Sequence, residues 1–136
     1  MKKIFFFTLL ILSSSVKAVE VSQNLLDAIQ TVESNGNESA IGDNGKAVGA
    51  FQIHKIYVDD VNSFSSEKFT YEDRKNKEKS QKIVKLYLEH YGKSYEKKTG
   101  KKATNEVLAR IHNGGPKGYN KEATKNYWKK VENNLK

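Results

Sequence analysis

The chain contains no cysteine among its 136 residues, so side-chain packing alone must hold its fold together. The same absence excludes a disulfide scaffold, a thiolate metal cluster, a cysteine nucleophile and a lipid-modified N-terminal cysteine. The three histidines, His54, His90 and His112, are too scattered for a zinc site. With 37% apolar residues the chain can still bury one modest core. We therefore predict one small domain with no metal and no cofactor.

The N-terminus has the three-part layout of a secretory signal peptide. Lys2 and Lys3 precede an apolar run, Ile4–Leu12, which is followed by serines and then by small or branched residues up to Ala18. The run is too short for a membrane anchor, which needs about 20 apolar residues. We predict cleavage after Ala18, which leaves residues 19–136 as a single exported domain, periplasmic or secreted.

The charge of the exported chain predicts an anionic partner. Removal of three signal-peptide lysines from the 24 basic residues leaves 21 against 16 acidic residues, a net charge of +5. Such a protein is attracted to cell-wall polymers, membrane surfaces or nucleic acid. Nucleic acid is disfavoured because the chain has two arginines and its aromatic residues are not interleaved with basic ones. Export without cysteines favours a bacterial envelope protein over a small animal secreted domain.

The spacing of apolar residues predicts an α+β domain that is mostly helical. Between the first two helices, residues 34–53 carry four glycines, and Asn44-Gly45 is typical of a tight hairpin turn. On the second helix we expect Ile56, Tyr57 and Val61 to face inward. Helical periodicity marks residues 21–33, 54–62, 71–91, 104–114 and 122–133.

Glu33 is the candidate acid. It follows Leu26 by seven residues and Ile29 by four, which turns it toward the apolar face of the first helix. It also lies in the last turn, where the negative end of the helix dipole opposes ionisation, as burial does. A carboxyl group that holds its proton near neutral pH is what acid-catalysed cleavage of an acetal requires. On position alone, a surface glutamate at a frayed helix end is the commoner case.

Three segments in the right order resemble the lysozyme superfamily, including bacterial transglycosylase-type domains. Glu33-Ser34 ends the first helix, Gly49–Gln52 follows the hairpin, and His112–Pro116 closes a later helix. Together with Tyr127-Trp128, these segments are most similar to the invertebrate-type (i-type) lysozymes. The resemblance spans about residues 24–131. Those lysozymes are rich in disulfides, so this chain looks like a bacterial relative without them.

The resemblance implies a lysozyme-like fold and a glycosidase that cleaves the β-1,4 bond between N-acetylmuramic acid and N-acetylglucosamine in peptidoglycan. Glu33 would be the general acid, and Asp43 would supply the second carboxylate that such a reaction uses. Asp43 also has a purely structural interpretation, because Asp-Asn-Gly is good turn chemistry. Both interpretations stay open. Asp59 and Asp60 are fallback candidates, although a solvated helix face is the simpler interpretation for both.

The predicted sugar contacts come from the motif segments and from aromatic rings near them. They comprise a side-chain amide that can bind a sugar, a glycine that lets the backbone approach the glycan closely, and a histidine at a helix end. The residues that cap that helix end and aromatic rings on which a sugar can stack complete the set. Tyr127 and Trp128, at helical spacing, are expected in the core instead. The predicted substrate-binding residues are Gln52, Gly49, Tyr57, His112, Asn113, Gly114 and Tyr119.

Two other functions remain open from the sequence. A lytic transglycosylase would use the same Glu33 but let a hydroxyl of the muramic acid attack, which requires no chemistry from Asp43. A non-catalytic protein would keep the lysozyme-like scaffold and grip the cell wall or another polyanion. We predict peptidoglycan glycan strands as the partner, no nucleic acid, and no stable membrane insertion after signal cleavage.

Overall fold

The computed structural model describes residues 17–136, so residues 1–16 of the predicted signal peptide lie outside the described residues. In the described part, no helix combines the length and the apolar character that crossing a membrane requires. This part contains five α-helices and one two-stranded antiparallel hairpin. In chain order these are α1 Gln23–Ser34, β1 Ile41–Gly42, β2 Ala47–Val48, α2 Lys55–Phe64, α3 Lys77–Thr99, α4 Asn105–Gly114 and α5 Lys125–Glu132.

The core forms where α4 packs against α1, α3 and α5. Leu26 and Ile29 of α1, Leu88 of α3, and Leu108 and Ile111 of α4 are fully buried. Burial of each such side chain contributes roughly 1.5–3 kcal/mol. The predicted fold class, α+β and mostly helical with a small hairpin after the first helix, is confirmed.

Helix ends follow the capping signals of the sequence. The Thr104 hydroxyl accepts a hydrogen bond from the backbone N–H of Val107 at the start of α4, and Gly115 closes that helix with a φ of 85°. The third helix differs from its prediction at both ends. It begins at Lys77, because residues 71–75 form a separate 3₁₀ turn, and it continues to Thr99.

The exposed face of α2 also differs from the prediction. Ile56 was expected to face inward, but 76% of its surface is exposed, whereas Val58 and Val61 are fully buried. Tyr57 is partly buried and packs against the core. The helix therefore buries its Val58–Val61 side and leaves Ile56 at the surface next to the hairpin.

The hairpin is fastened to the helical part by one serine and one arginine. The Ser34 hydroxyl at the end of α1 donates to the carbonyl of Ala50 (2.7 Å). Arg74, 5% exposed, donates to the carbonyl oxygens of Ile53 (3.1 Å) and Tyr71 (2.7 Å). These hydrogen bonds fix the segment that follows the hairpin relative to α1 and to the 71–75 turn.

Gly49 lies where the segment after the hairpin touches that turn. Its φ is +83°, in the left-handed region that favours glycine, and a Cβ atom there would lie 1.9 Å from the carbonyl oxygen of Arg74. Glycine at position 49 therefore allows the backbone to pack closely against the backbone of Arg74.

Replacement of Gly49 by alanine tests this contact. We expect Gly49→Ala to lower the free energy of unfolding by about 3 kcal/mol, the sum of left-handed backbone strain and a steric clash with backbone. Gly45→Ala is the matched control, because Gly45 has a φ of +89° and nothing within 4 Å of the added Cβ. It should cost only about 1 kcal/mol. Urea unfolding measures both, and equal losses would contradict the packing role.

Candidate active site

A cavity of about 540 Å³ opens between the end of α1, the hairpin, α2 and the end of α4. Its size is in the range of small-molecule sites in proteins. Residues from all three sequence motifs contribute to its wall. The lining residues are Glu33, Asp43, Ala47, Gln52, His54, Ile56, Tyr57, Asp60, Tyr87, His112, Asn113, Gly115 and Pro116.

Glu33 lies in the last turn of α1 and is held by two partners from other helices. Its Oε1 atom accepts a hydrogen bond from the Tyr127 hydroxyl of α5 (2.9 Å) and lies 3.3 Å from Nε2 of His112 in α4. The Glu33 side chain is 18% exposed. Within residues 17–136, Oε2 makes no hydrogen bond. One carboxyl oxygen is thus anchored and the other remains available to a ligand.

His112 continues this network to α2. Its Nδ1 atom lies 3.0 Å from the hydroxyl of Tyr57. When Tyr57 donates to Nδ1, Nε2 carries the imidazole proton and donates to Glu33. When Glu33 carries its proton on Oε2, Oε1 still accepts from this Nε2–H. Both protonation states of Glu33 are therefore satisfied by a neutral imidazole.

The two tyrosines of this network keep their protons. Burial raises the pKa of Tyr127 well above its ordinary value, and the charge of Glu33 and its hydrogen bond add to the effect. Burial also raises the pKa of Tyr57, with further contributions from Tyr87, Tyr127 and Glu33. Tyr127 is consequently a hydrogen-bond donor to Glu33 across the neutral pH range.

Asp43 reaches the cavity from the turn of the hairpin. Its Oδ2 atom lies 3.2 Å from Nε2 of His54, the residue before α2. The backbone φ of Asp43 is 48°, in the left-handed region. Such a conformation costs of order 1–3 kcal/mol in a non-glycine residue and persists where the surroundings enforce it. Asn44 and Gly45, also left-handed, complete the turn that the sequence predicted.

Gln52 is the other non-glycine cavity residue with a left-handed backbone, at a φ of 51°. Its side-chain nitrogen donates to the carbonyl oxygens of Gly49 (3.0 Å) and Ala40 (3.3 Å). The amide therefore ties the segment after β2 to the loop before β1. Its oxygen lies close to Gly42, where an added Cβ would come within 2.3 Å of it.

Asp60 adds a third carboxylate to the cavity, from α2. The Tyr91 hydroxyl donates a hydrogen bond to its Oδ2 atom. Burial raises the pKa of Tyr91 to about 12, with contributions from the hydrogen bond and the charge of Asp60. The expected solvated face is thus wrong for Asp60, whereas Asp59 is exposed and accepts a hydrogen bond from Tyr71.

Some predicted substrate contacts line the cavity and others do not. Gly49 packs on Arg74 as described, and Gly114 packs on Thr124, whose Cγ2 would lie 2.6 Å from an added Cβ. The ring of Tyr119 packs against Tyr95, with ring centroids 4.7 Å apart. The structure gives these three residues packing contacts away from the cavity. Those that line it are Gln52, Tyr57, His112 and Asn113.

Sequence reasoning did not assign Tyr127 or His54 to the site. Tyr127 follows a helical apolar pattern with Val131, which indicated the core, and only the folded chain brings its hydroxyl to Glu33. His54 follows the Gln52 motif closely in the sequence, and this position could have indicated a place in the site. Its pairing with Asp43, in the turn of the hairpin, appears only in the folded chain.

Comparison with known proteins gives a consistent set of similarities. The family model described as Destabilase matches residues 22–134. Lysozyme 1 of Crassostrea virginica is 32% identical over 122 residues, which is 88% of this chain and 63% of that protein. The chain thus spans less than two thirds of the length of that curated relative.

Solved structures with the same architecture include the crystal structure of Tapes japonica lysozyme, with a TM-score of 0.67 and 29% identity over 82% of this chain and 88% of that one. A chain in the crystal structure of Aeromonas hydrophila PliI in complex with Meretrix lusoria lysozyme gives a TM-score of 0.70 and 28% identity, over 86% and 93%. The lysozyme relatives are molluscan. The bacterial, periplasmic setting therefore stays a prediction.

Alkaline titration tests the buried tyrosines around the cavity. The chain has seven tyrosines. Four of them, in and beside the site, have a raised pKa, so the folded state favours the neutral form of these four side chains. The stability that they contribute is present below pH ~10 and is lost as the pH rises further. We expect their tyrosinate absorbance to appear only with the loss of circular dichroism. They are Tyr57, Tyr87, Tyr91 and Tyr127.

The control is the same titration in concentrated guanidinium chloride, where all tyrosines should ionise near pH ~10. Ionisation of the whole set near that pH, with the circular dichroism of the folded chain intact, would contradict the assignment.

Proposed function

The chain belongs to the destabilase family of i-type lysozymes, and from this membership we propose that it is a glycosidase that cleaves the glycan of peptidoglycan. The bond cleaved is the β-1,4 link between N-acetylmuramic acid and N-acetylglucosamine. The proposal includes export after removal of residues 1–18, with residues 19–136 as a single catalytic domain. The net positive charge of that domain supports an anionic, wall-like substrate.

The anchoring of Glu33 is the observation that carries the proposal. Its Oε1 atom is held by Tyr127 and His112, while Oε2 has no partner among the described residues. A general acid must reach the glycosidic oxygen with a defined geometry, and two donors from separate helices fix the direction of this carboxyl group. The cavity beside it has room for sugar rings.

In the proposed reaction, protonated Glu33 gives its proton to the bridging oxygen as the bond to the sugar breaks. Positive charge then develops on the ring, and a carboxylate on its other side stabilises that charge or attacks the carbon. His112 with its proton on Nε2 donates to Oε1 both before and after this transfer, so the step requires no change of tautomer. Tyr127 donates in either state, so the half-buried carboxylate keeps its partners.

Asp43 is our proposed second carboxylate. It lines the same cavity as Glu33, and its strained backbone supports a functional role because strain of this kind concentrates at active sites. His54 pairs with one of its oxygens and orients it. Asp60 is the competitor on the same cavity, but a hydrogen bond from Tyr91 already engages it.

Replacement of Glu33 tests the general acid. We expect Glu33→Gln to lower turnover of purified peptidoglycan about 10³-fold, because an amide cannot supply the proton, while the thermal midpoint of unfolding changes little. Glu38→Gln, at an exposed glutamate of the following loop, is the matched control and should keep full activity. Wild-type turnover that survives Glu33→Gln would overturn the mechanism.

Mass spectrometry of the same digests separates hydrolysis from transglycosylation. Reducing muramic acid ends are expected, and anhydromuramic ends would assign the lytic transglycosylase reaction instead. An inactive wild type that still binds the wall would indicate a binding protein.

A pair of variants identifies the second carboxylate. We expect Asp43→Asn to lower kcat about 100-fold and Asp60→Asn to lower it less than about fivefold, because asparagine at position 60 keeps a hydrogen bond with Tyr91. Rates on peptidoglycan, with unfolding curves as a check on folding, measure both. The opposite order would transfer the role to Asp60.

A further inference from the structure

A second cavity of about 360 Å³ lies beside the main one and shares His54 and Ile56 with it. No carboxylate lines this second cavity. Three of its residues are basic, and we call them the basic annex: Lys46, Lys55 and Arg74. The shared residues place the annex next to the main cavity.

Arg74 is a buried guanidinium without an acidic partner in residues 17–136. It donates to the carbonyl oxygens of Tyr71, Ile53 and Lys46, and no aspartate or glutamate forms an ion pair with it. Its Nη2 atom makes no hydrogen bond to any described residue. Its charge is solvated by carbonyl oxygens and not neutralised by a carboxylate, so Arg74 adds a positive charge to the wall of the annex.

The two lysines increase the positive potential at the mouth of the annex. Lys46 and Lys55 are exposed, and neither forms an ion pair with a described residue. The Lys55 ammonium lies 5.0 Å from the ring centroid of Tyr71, which restrains it without neutralising it. α2 also starts at Lys55, with no side-chain cap and no acidic residue in its first turn, so its positive dipole end adds to the charge.

We propose that the basic annex binds a carboxylate carried by the muramic acid of the substrate while the sugar chain occupies the main cavity. This inference rests on the proposed function and names the part of the substrate that the enzyme distinguishes. Muramic acid differs from N-acetylglucosamine by a lactyl group, whose carboxylate is either free or extended by a peptide with carboxylates of its own. A guanidinium and two ammonium groups are suited to that anion.

The annex therefore acts in substrate selection. A polymer of N-acetylglucosamine alone fills the main cavity and leaves the annex without a counterion. A muramic acid unit pairs with the annex, and because the lysines are exposed, that gain decreases as salt concentration rises.

The double variant Lys46→Ala/Lys55→Ala tests the annex. Arg74 is left in place because it anchors the hairpin. The substrates are peptide-bearing strands, strands stripped of peptide with free lactyl carboxylates, and uncharged N-acetylglucosamine oligomers. We expect KM to rise about tenfold on carboxylate-bearing strands at low salt, with kcat retained, and less than about twofold on the uncharged oligomers.

The control is Lys97→Ala/Lys98→Ala, which removes two exposed lysines from the end of α3 and should leave every KM unchanged. A rise on peptide-bearing strands alone assigns the anion to the peptide, a rise on stripped strands alone assigns it to the lactyl carboxylate, and a rise on both kinds of strand shows that the annex accepts either carboxylate. Equal changes on charged and uncharged substrates, or none on any, would overturn the proposal.

Calorimetry separates failure of the annex from failure of the proposed function. With Glu33→Gln as the background, a disaccharide-peptide from peptidoglycan should bind about tenfold more weakly once both lysines are replaced. A wild type without turnover but with this lysine-dependent binding refutes the glycosidase and keeps the annex. An active wild type whose binding and KM ignore the lysines refutes the annex alone.

Discussion

The contact of Glu33 with Tyr127 and His112 joins the ends of three helices, and the candidate site depends on it. Glu33 ends α1, His112 is near the end of α4, and Tyr127 lies on α5. These ends meet because the apolar faces of the helices pack in one core, so the site inherits its geometry from packing. In this chain without disulfides, core packing holds the three distant residues within hydrogen-bond distance.

The opposite wall of the cavity is fixed by hydrogen bonds instead of by a core. Arg74 holds Ile53 and the neighbouring turn through their carbonyl oxygens, and Gln52 ties its own segment to Ala40. A two-stranded hairpin of this length is not stable by itself. These polar anchors allow Asp43 and Gln52 to keep left-handed backbones that an isolated loop would relax.

The sequence predicts the features that depend on residues close together in the chain. It does not predict the side-chain contacts that form when distant segments fold together. Helix periodicity, the hairpin turn and the Glu33 and His112 motifs are all local, and the structure contains them. Ile56 and Tyr127 were assigned by periodicity to the core, although Ile56 is exposed and the Tyr127 hydroxyl reaches Glu33. A spacing rule identifies which face of a helix is apolar, but it does not identify the polar atom that a distant segment will meet.

Asp60 shows the same limit of spacing rules, because a residue assigned to solvent lines the cavity. Its place among polar residues of α2 suggested a solvated face, yet the packing of α2 against α3 turns it to the cavity beside Tyr91. The result is an uneven distribution of charge. Acidic groups concentrate in the main cavity and basic groups in the annex, with His54 on the wall between them and paired to Asp43. A substrate that is neutral along its sugar backbone and anionic at its side groups matches both environments, whereas a uniformly charged polymer matches only one.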